Sequence, residues 1–503
     1  MIIDELTFRI RQAMGMTPTD EQQYAITEFC RFMTDRSDRT VMLLRGCAGT
    51  GKTTLAAAIV RAMKSLSQKL LLMAPTGRAA KVLSLYADTP ASTIHRRIYR
   101  QRTAGDMMAS FQLNYNVAQD TLFIVDEASM IANGGATESM FGTGRLLDDL
   151  IEFVYGGRNC RLLLIGDRAQ LPPVGEEESP ALLADVLRSY YLKVYEADLN
   201  QVLRQSQQSG ILWNATRVRN SFEGRAGSVE LATAVVESPE ENSNLYTINY
   251  KLPMVRFAFP DIHVVMGNEL IDQLGTSYSR VGKDDTIVIT RSNKRANIYN
   301  QGIRNTILDC DAELSFGDML MIVRNNYYWM GLESGEKKED DSMPDFLANG
   351  DRCVVRRVRN HQELYGFHFA DVTMTFPDYD DYELTATVLL DTLKSEAPAL
   401  TREQQNQLYE GVMADYADIP FKADRLKKLK QDRFYNALQV KYAYAVTCHK
   451  AQGGQWAHVY VDQGYMTDDM LTAEYFHWLY TAFTRATEQL YLVNWPKTQT
   501  EES

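Results

Sequence analysis

The chain has few cysteines, and their spacing excludes two kinds of stabilised fold. Its six cysteines are scattered through 503 residues, and no two of them share a C-x-x-C spacing. A disulfide framework and a cysteine-ligated zinc site are therefore not expected. We predict free thiols in a reduced, cytoplasmic compartment, and we expect no structural metal.

Long apolar runs and an export signal are also lacking. No segment approaches the ~20 consecutive apolar residues that cross a bilayer. The acidic pair Asp4-Glu5 stands where a signal peptide would carry basic residues, so export is not predicted. The remaining composition, with 45% hydrophobic and 23% charged residues, is typical of a globular chain. Its length predicts roughly two to four domains.

Positive charge is in deficit overall but concentrated locally. The formal net charge is −12, a total that by itself argues against nucleic-acid binding. Binding depends on local fields, however, and two basic stretches stand out, His95–Arg102 and Lys422–Arg433. From charge alone, each stretch is either a contact surface for a polyanion or an ordinary solvated face.

The most informative stretch is residues 43–54, where a short apolar strand, a glycine-rich turn and the start of a helix follow one another. Four residues match the phosphate-loop pattern G-x-x-x-x-G-K-[ST], namely Gly46, Gly51, Lys52 and Thr53. Glycines let the backbone turn its N–H groups toward a phosphate at a helix N-terminus. Lys52 would then reach the β- and γ-phosphates, and Thr53 would hold Mg²⁺.

Apolar strands recur after this loop and alternate with helical segments. Three such strands occupy 69–74, 122–125 and 161–165. This alternation predicts a parallel sheet covered on both faces, with ligands at the carboxyl ends of the strands. At one strand end, Asp126 can hold Mg²⁺ and Glu127 can take a proton from the attacking water. Gln170, in a later turn, is placed to sense a γ-phosphate.

The strand pattern predicts an α/β fold with two domains and two insertions. A second α/β region begins near Leu199, and short alternating strands from about residue 316 predict an inserted β module. The alternating run 111–117 predicts a small hairpin. The predicted units are a first domain at 1–198 with an insertion at 97–119, a second domain at 199–315 and 436–503, and a β module with a helical arm at 316–435.

Two arginines of the second half, Arg204 and Arg485, stand in fairly apolar surroundings. Each could form a structural ion pair within its own domain, or could reach a γ-phosphate held by the first domain. In the second case, the arginines would stabilise transition-state charge and couple hydrolysis to closure of the two domains.

In their order and spacing, these motifs resemble those of superfamily 1 helicases, specifically the 5′-to-3′ branch with RecD-like and Dda-like enzymes. The resemblance covers about residues 19–493. It implies two RecA-like domains, a strand-separating pin at 97–119 and an SH3-like insertion. It also implies an adenine-reading role for Gln22. The nucleotide-binding set is then Gln22, Gly46, Gly49, Gly51, Lys52, Thr53 and Thr54, and the catalytic set is Lys52, Asp126, Glu127, Gln170, Arg204 and Arg485.

The same resemblance implies a path for single-stranded DNA across both domains. In the first domain, the residues similar to strand-contacting motifs are Pro75, Thr76, Gly77, Arg78, Thr93 and His95. In the second domain, they are Asn293, Thr447, His449, Lys450 and Gln452. The chain departs from many relatives just afterwards, because Gln455 and Trp456 stand where those relatives place a glutamate.

The whole set predicts a DNA helicase that uses ATP and Mg²⁺ to walk 5′ to 3′ along single-stranded DNA and to separate the duplex ahead. Expected partners are single-stranded DNA and its junctions with duplex, with replication or repair proteins as further candidates. The chain is expected to act as a monomer without membrane contact. Two alternatives stay open: a translocase that displaces proteins or remodels RNA, and a nucleotide-gated binding module. A phosphate-loop kinase would not carry the whole series.

Overall fold

A computed structural model describes the chain at 2–101, 111–134, 142–203, 209–222, 235–237, 247–249, 253–332, 346–467 and 470–501. The first domain alternates strands with helices. Its helices are α1 (Ile2–Met14), α2 (Asp20–Thr34), α3 (Lys52–Ser65), α4 (Gly77–Ala87), α5 (Ile94–Ile98), α6 (Leu146–Gly156) and α7 (Ala184–Ser189), with 3₁₀ turns at Ala128–Met130 and Pro180–Leu182. Its strands are β1 (Thr40–Gly46), β2 (Lys69–Ala74), β3 (Ala91–Thr93), β4 (Tyr99–Gln101), β5 (Phe111–Leu113), β6 (Thr121–Val125), β7 (Arg161–Gly166) and β8 (Lys193–Leu199).

Six of these strands form one parallel sheet in the order β3-β2-β6-β7-β1-β8. Met42 and Leu44 of β1 pack into the core that α1, α2 and α3 cover. Val41 and Leu43 of the same strand pack into the core on the other face, with α6. A strand buried on both faces has no solvated side, which explains its unbroken apolar sequence.

The hairpin insertion predicted in the first domain is present. β4 pairs antiparallel with β5, so that Tyr99 lies opposite Leu113 and Gln101 lies opposite Phe111. β5 is shorter than the alternating run 111–117 that predicted it, and it ends at Leu113. The part of the predicted pin at 102–110 lies outside the described residues, so its tip stays a prediction.

The second domain holds a five-stranded parallel sheet in the order β11-β20-β19-β12-β18. Its strands are β9 (Val235–Glu237), β10 (Thr247–Asn249), β11 (Ile262–Val265), β12 (Thr286–Thr290), β18 (Ala445–Thr447), β19 (Trp456–Asp462) and β20 (Ala486–Val493), and β9 and β10 form a separate antiparallel pair. Its helices are α8 (Gly210–Phe222), α9 (Leu270–Val281), α10 (Asn293–Gly302), α14 (Cys448–Ala451) and α15 (Ala473–Phe483), with a π-helical turn at Ile303–Ile307 and a 3₁₀ turn at Lys497–Gln499.

The β insertion interrupts the second domain and forms a closed barrel in the order β13-β14-β15-β16-β17. The barrel strands are β13 (Met319–Ile322), β14 (Arg352–Leu364), β15 (Phe367–Phe376), β16 (Tyr382–Leu389) and β17 (Leu438–Tyr442). The accompanying helices are α11 (Tyr328–Leu332), α12 (Arg402–Asp415) and α13 (Lys422–Lys430), with 3₁₀ turns at Pro377–Tyr379 and Leu390–Thr392. The last barrel strand lies beyond the predicted module end at 435.

Two parallel sheets, a hairpin and a barrel therefore confirm the predicted fold class. Local capping chemistry also agrees with the sequence, because Thr401 and Gln404 form a capping box at the start of α12. Among the described residues, no helix is both long enough and apolar enough to cross a membrane.

Candidate nucleotide site and nucleic-acid interface

The phosphate loop joins β1 to α3 and turns on two glycines. Gly49 and Gly51 have φ angles of 76° and 79°, which disfavour any residue with a β-carbon. A β-carbon at Gly51 would also lie 2.7 Å from Nε2 of Gln22. At the other end of the loop, a β-carbon on Gly46 would meet that of Leu199 at 2.9 Å. The glycines of the pattern therefore stand where the backbone needs them.

Lys52 begins α3, and its side chain folds back over the loop. Its ammonium donates hydrogen bonds to the carbonyl oxygens of Gly46 at 2.6 Å and Cys47 at 2.9 Å. The same Nζ lies 4.0 Å from Oδ2 of Asp167. A cation above a helix N-terminus suits a phosphate group. Thr53 and Thr54 follow in the first turn of α3.

Gln22 is buried rather than exposed on its helix. Its Oε1 accepts the N–H of Thr19 at 3.0 Å and completes the capping box of α2. Its Nε2 donates to the carbonyl oxygen of Thr50 at 3.0 Å. Gln22 therefore ties α2 to the phosphate loop, and its reading of adenine stays a prediction.

Asp126 and Glu127 follow β6 at the same edge of the sheet. Oδ1 of Asp126 accepts the N–H of Glu127 at 2.8 Å. Burial, reinforced by the negative charge of Glu127, raises the pKa of Asp126 to about 7. Such a carboxyl group fits a bound cation, which would favour its ionised form. Glu127 has a φ angle of 52°, an uncommon conformation for a residue with a β-carbon and one often found at functional sites.

Gln170 lies in the turn that follows β7. Its N–H donates to the carbonyl oxygen of Asp167 at 3.3 Å. Its side chain is buried, and within the described part of the chain its Oε1 has no hydrogen-bond partner. An unpaired buried amide oxygen is costly, so this position is suited to contact with a ligand or its water.

Of the two predicted arginines, Arg204 lies outside the described residues, and Arg485 does not contact the loop. Arg485 is buried and donates to the carbonyl oxygens of Thr481 and Gly454, both at 3.1 Å, so it contacts its own domain and forms neither of the arrangements considered from sequence. Its role toward a γ-phosphate stays a prediction.

A different arginine, Arg219, does reach the loop, although no motif in the sequence singled it out. The guanidinium of Arg219, on α8 of the second domain, contacts Sγ of Cys47 and is buried. Arg219 stands between Val218 and Asn220 in a polar stretch, without the apolar surroundings that singled out the two predicted arginines. No further motif marks it in the sequence.

Tyr480 is a second residue that sequence analysis missed. Its hydroxyl accepts the N–H of Ala48, in the phosphate loop, at 2.9 Å. The same hydroxyl donates to Oδ2 of Asp167 at 2.6 Å. Tyr480 lies five residues before Arg485, and this closeness in sequence to a predicted catalytic residue is the signal that could have identified it. An open cleft of about 1160 Å³ runs beside these contacts, and its lining includes Cys47.

The two sets of predicted strand-contacting residues approach each other between the domains. Thr76, which follows Pro75, caps α4 by accepting the N–H of Ala79 at 3.2 Å. A β-carbon on Gly453 would lie only 3.1 Å from Oγ1 of Thr76. The guanidinium of Arg78 lies 4.4 Å from the ring centroid of Trp456. Trp456, which follows Gln455 at the point where the sequence departs from the motif, is therefore part of the domain contact.

The barrel covers one of the predicted strand-contacting positions. A β-carbon on Gly77 would lie 2.6 Å from the hydroxyl oxygen of Tyr379 and 2.9 Å from Oδ1 of Asp351. Tyr379 donates to Asp351 within the barrel. Gly77 thus faces the barrel in this structure, and its contact with a strand stays a prediction.

The remaining predicted contacts lie in different surroundings. Thr93 caps α5, and burial lowers the pKa of His95, on that helix, to about 4. Burial also lowers the pKa of Lys450 to about 8 and shifts the pKa of His449 in the same direction. Gln452 donates to the carbonyl oxygen of Leu171 at 2.6 Å and so joins the two domains. Two further residues begin or precede helices, namely Asn293 at α10 and Thr447 at α14.

Two protein-family models match the chain. A model described as an AAA domain matches residues 17–234, and a model described as a UvrD-like helicase C-terminal domain matches residues 442–493. The first match contains the phosphate loop and Glu127, and the second contains Lys450 and Arg485.

The sequence is also similar to those of individual helicases. The ATP-dependent RecD2 DNA helicase of Deinococcus radiodurans is 34% identical over 173 residues, which are 34% of this chain and 21% of that protein. The ATP-dependent DNA helicase dda of Enterobacteria phage T4 is 29% identical over 180 residues, 35% of this chain and 37% of that protein. The matched region thus spans about a fifth to a third of these relatives. A Bacteroides Pif1 helicase crystallised with ADP-AlF3 and single-stranded DNA aligns over 97% of this chain and 95% of its own, with 14% identity and a TM-score of 0.45.

Proposed function

We propose that the chain is a superfamily 1 helicase of the branch with RecD-like and Dda-like enzymes, and that it acts as an ATP-dependent DNA helicase. It binds single-stranded DNA, translocates 5′ to 3′ and separates the duplex ahead. One observation carries this proposal. The phosphate loop and the two predicted strand-contacting regions all lie against the boundary between the same two domains.

The chemistry assigned to the first domain is hydrolysis of the γ-phosphate. Loop N–H groups and the ammonium of Lys52 hold the phosphates, while Glu127 orients the attacking water and takes its proton. Thr53 and Asp126 would hold Mg²⁺, which neutralises phosphate charge when it is bound. The buried carboxyl group of Asp126, with its raised pKa, supports that assignment.

Hydrogen bonds between the domains support coupling of hydrolysis to movement. The N–H of Leu171 donates to Oγ1 of Thr481 at 2.8 Å, while Gln452 bonds to the carbonyl oxygen of the same leucine. Leu171 follows Gln170, and Gln452 follows the basic pair His449-Lys450. A movement of Gln170, the predicted γ-phosphate sensor, would therefore pass through Leu171 and its hydrogen bond with Gln452 to the predicted strand-contacting residues of the second domain.

The strand is held mainly through its phosphates, since the predicted contacts include three threonines, two histidines, a lysine and an arginine. Affinity should fall steeply with salt and should vary little with base sequence. The six cysteines are free in the structure, which supports a reducing, cytoplasmic environment. We expect a monomer, with replication or repair proteins as candidate partners.

The test is strand separation on two partial duplexes, one with a 5′ single-stranded tail and one with a 3′ tail, in the presence of ATP and Mg²⁺. Release from the 5′-tailed duplex alone is expected. Release from the 3′-tailed duplex alone would overturn the proposed polarity. ATP hydrolysis that is stimulated by single strands without release from either duplex would favour a translocase. Stronger stimulation of hydrolysis by RNA than by DNA of equal length would indicate that RNA is the substrate.

A further inference from the structure

Tyr480 completes a hydrogen-bonded bridge between the two domains at the phosphate loop. A hydroxyl group has one proton to donate, and Tyr480 donates it to Oδ2 of Asp167. The hydroxyl oxygen accepts the N–H of Ala48. Because the side chain is only 1% exposed, bulk water does not compete for these two hydrogen bonds.

The N–H of Ala48 belongs to the group that a phosphate loop uses to bind its anion. Backbone N–H groups in such loops converge on the phosphate oxygens. A tyrosine hydroxyl that accepts the hydrogen bond of one of these N–H groups takes the place of a phosphate oxygen as the acceptor. The ammonium of Lys52 likewise donates its hydrogen bonds to the loop carbonyl oxygens of Gly46 and Cys47.

Other contacts hold the same helix without using a loop donor. Oγ1 of Thr481 accepts the N–H of Leu171, and Nδ1 of His477 donates to the carbonyl oxygen of Ala169 at 2.9 Å. These bonds anchor α15 on the turn that follows β7. The contact of Tyr480 with the loop can therefore break while α15 remains attached to the first domain.

Resting on the proposed function, we propose that Tyr480 is a nucleotide-displaced bridge. Its hydroxyl holds the Ala48 N–H while the loop carries no phosphate, and it yields that donor to a nucleotide phosphate oxygen. Tyr480 is thus a positioning residue that sets nucleotide affinity through the second domain.

The direct test is Tyr480→Phe, which removes the hydroxyl and keeps the ring. The matched control is Tyr475→Phe, since Tyr475 lies on the same helix and donates to Oε1 of Gln463 at 2.8 Å within the second domain. Equilibrium binding of a fluorescent ATP analogue is measured with Mg²⁺ and without a strand. Loss of one competing hydrogen bond should tighten binding about five- to tenfold in Tyr480→Phe. Tyr475→Phe should bind as the unmodified chain does.

Unchanged or weaker binding in Tyr480→Phe would overturn the proposal, because the hydroxyl would then be neutral or part of the binding site. If the variant does not fold, as judged by circular dichroism, Tyr480→Met provides a second side chain without a hydroxyl, with the same expected increase. Helicase activity is measured separately on the unmodified chain. Lack of strand separation there would overturn the proposed function and leave the binding comparison intact.

Discussion

The guanidinium of Arg219 contacts the Sγ atom of Cys47, so a buried cation of the second domain lies against the phosphate loop of the first. A cation at this position can stabilise negative charge that develops on transferred phosphate. We expect Arg219→Ala to lower strand-stimulated ATP turnover at least about tenfold, with a smaller effect on nucleotide affinity. Steady-state hydrolysis at saturating single-stranded DNA measures this change.

The control for that variant lies two residues earlier on the same helix. Arg217 forms an ion pair with Glu501 at 2.6 Å, away from the loop. Arg217→Ala should leave turnover within about twofold, because partly exposed ion pairs contribute little. Equal losses in both variants would show that α8 matters only for folding.

Replacement of Glu127 by Gln should separate chemistry from binding. The amide keeps the shape of the side chain but cannot accept the proton of the attacking water. Turnover should fall about 10²- to 10⁴-fold, the usual contribution of a general base. The affinity for a non-hydrolysable ATP analogue should stay unchanged, and normal turnover in this variant would remove Glu127 from the catalytic assignment.

Lys450 should make strand binding depend on pH. Burial lowers its pKa to about 8, so the side chain carries its charge below that pH and loses it as the pH rises. The affinity for single-stranded DNA should therefore weaken by up to about tenfold between pH 7 and pH 9 at constant salt. Lys450→Arg keeps its charge throughout and should show a flatter profile. Identical profiles for both proteins would exclude Lys450 as the titrating contact.

The ion pair between Arg304 and Asp318 joins the second domain to the barrel, and its loss should be costly. Two bonds of 2.9 Å link the guanidinium to the carboxylate, and both side chains are buried. Asp318→Ala leaves an unpaired buried charge, which should lower the free energy of unfolding by about 3–5 kcal/mol. Urea unfolding followed by circular dichroism measures the change.

An exposed ion pair between the second domain and the inserted β module serves as the comparison. Lys294 and Glu396 lie 3.7 Å apart, and both side chains are mostly solvent-accessible. Glu396→Ala should change the free energy of unfolding by less than about 1 kcal/mol. A comparable loss in both variants would contradict the assigned importance of the buried pair.

The sequence predicted the fold class because strands buried on both faces of a sheet must be apolar throughout. β1, β7 and β12 were recognisable for that reason. Barrel strands were harder to delimit. The alternating run at 353–358 belongs to β14, which continues to Leu364 through exposed residues that carry no apolar signal.

The loop between β1 and α3 and the position of Glu127 after β6 were predictable because each depends on neighbours in sequence. Tyr480 and Arg219 were not, since each acts on a loop more than 170 positions away. A residue that works across a domain boundary needs no local pattern beyond its own burial. Gln22 shows the same limit, because its contact with Thr50 depends on how α2 packs against the loop.

The barrel begins and ends at neighbouring positions. Met321 of β13 lies opposite Lys441 of β17, and β18 of the second domain starts three residues after β17 ends. The chain therefore leaves and re-enters the domain through a paired stem, like the base of a hairpin. Because that stem already fixes the distance between the ends, the length of chain beyond it can change without stretching the parallel sheet. The stem is thus a natural junction at which one barrel could be exchanged for another while the two parallel-sheet domains are kept.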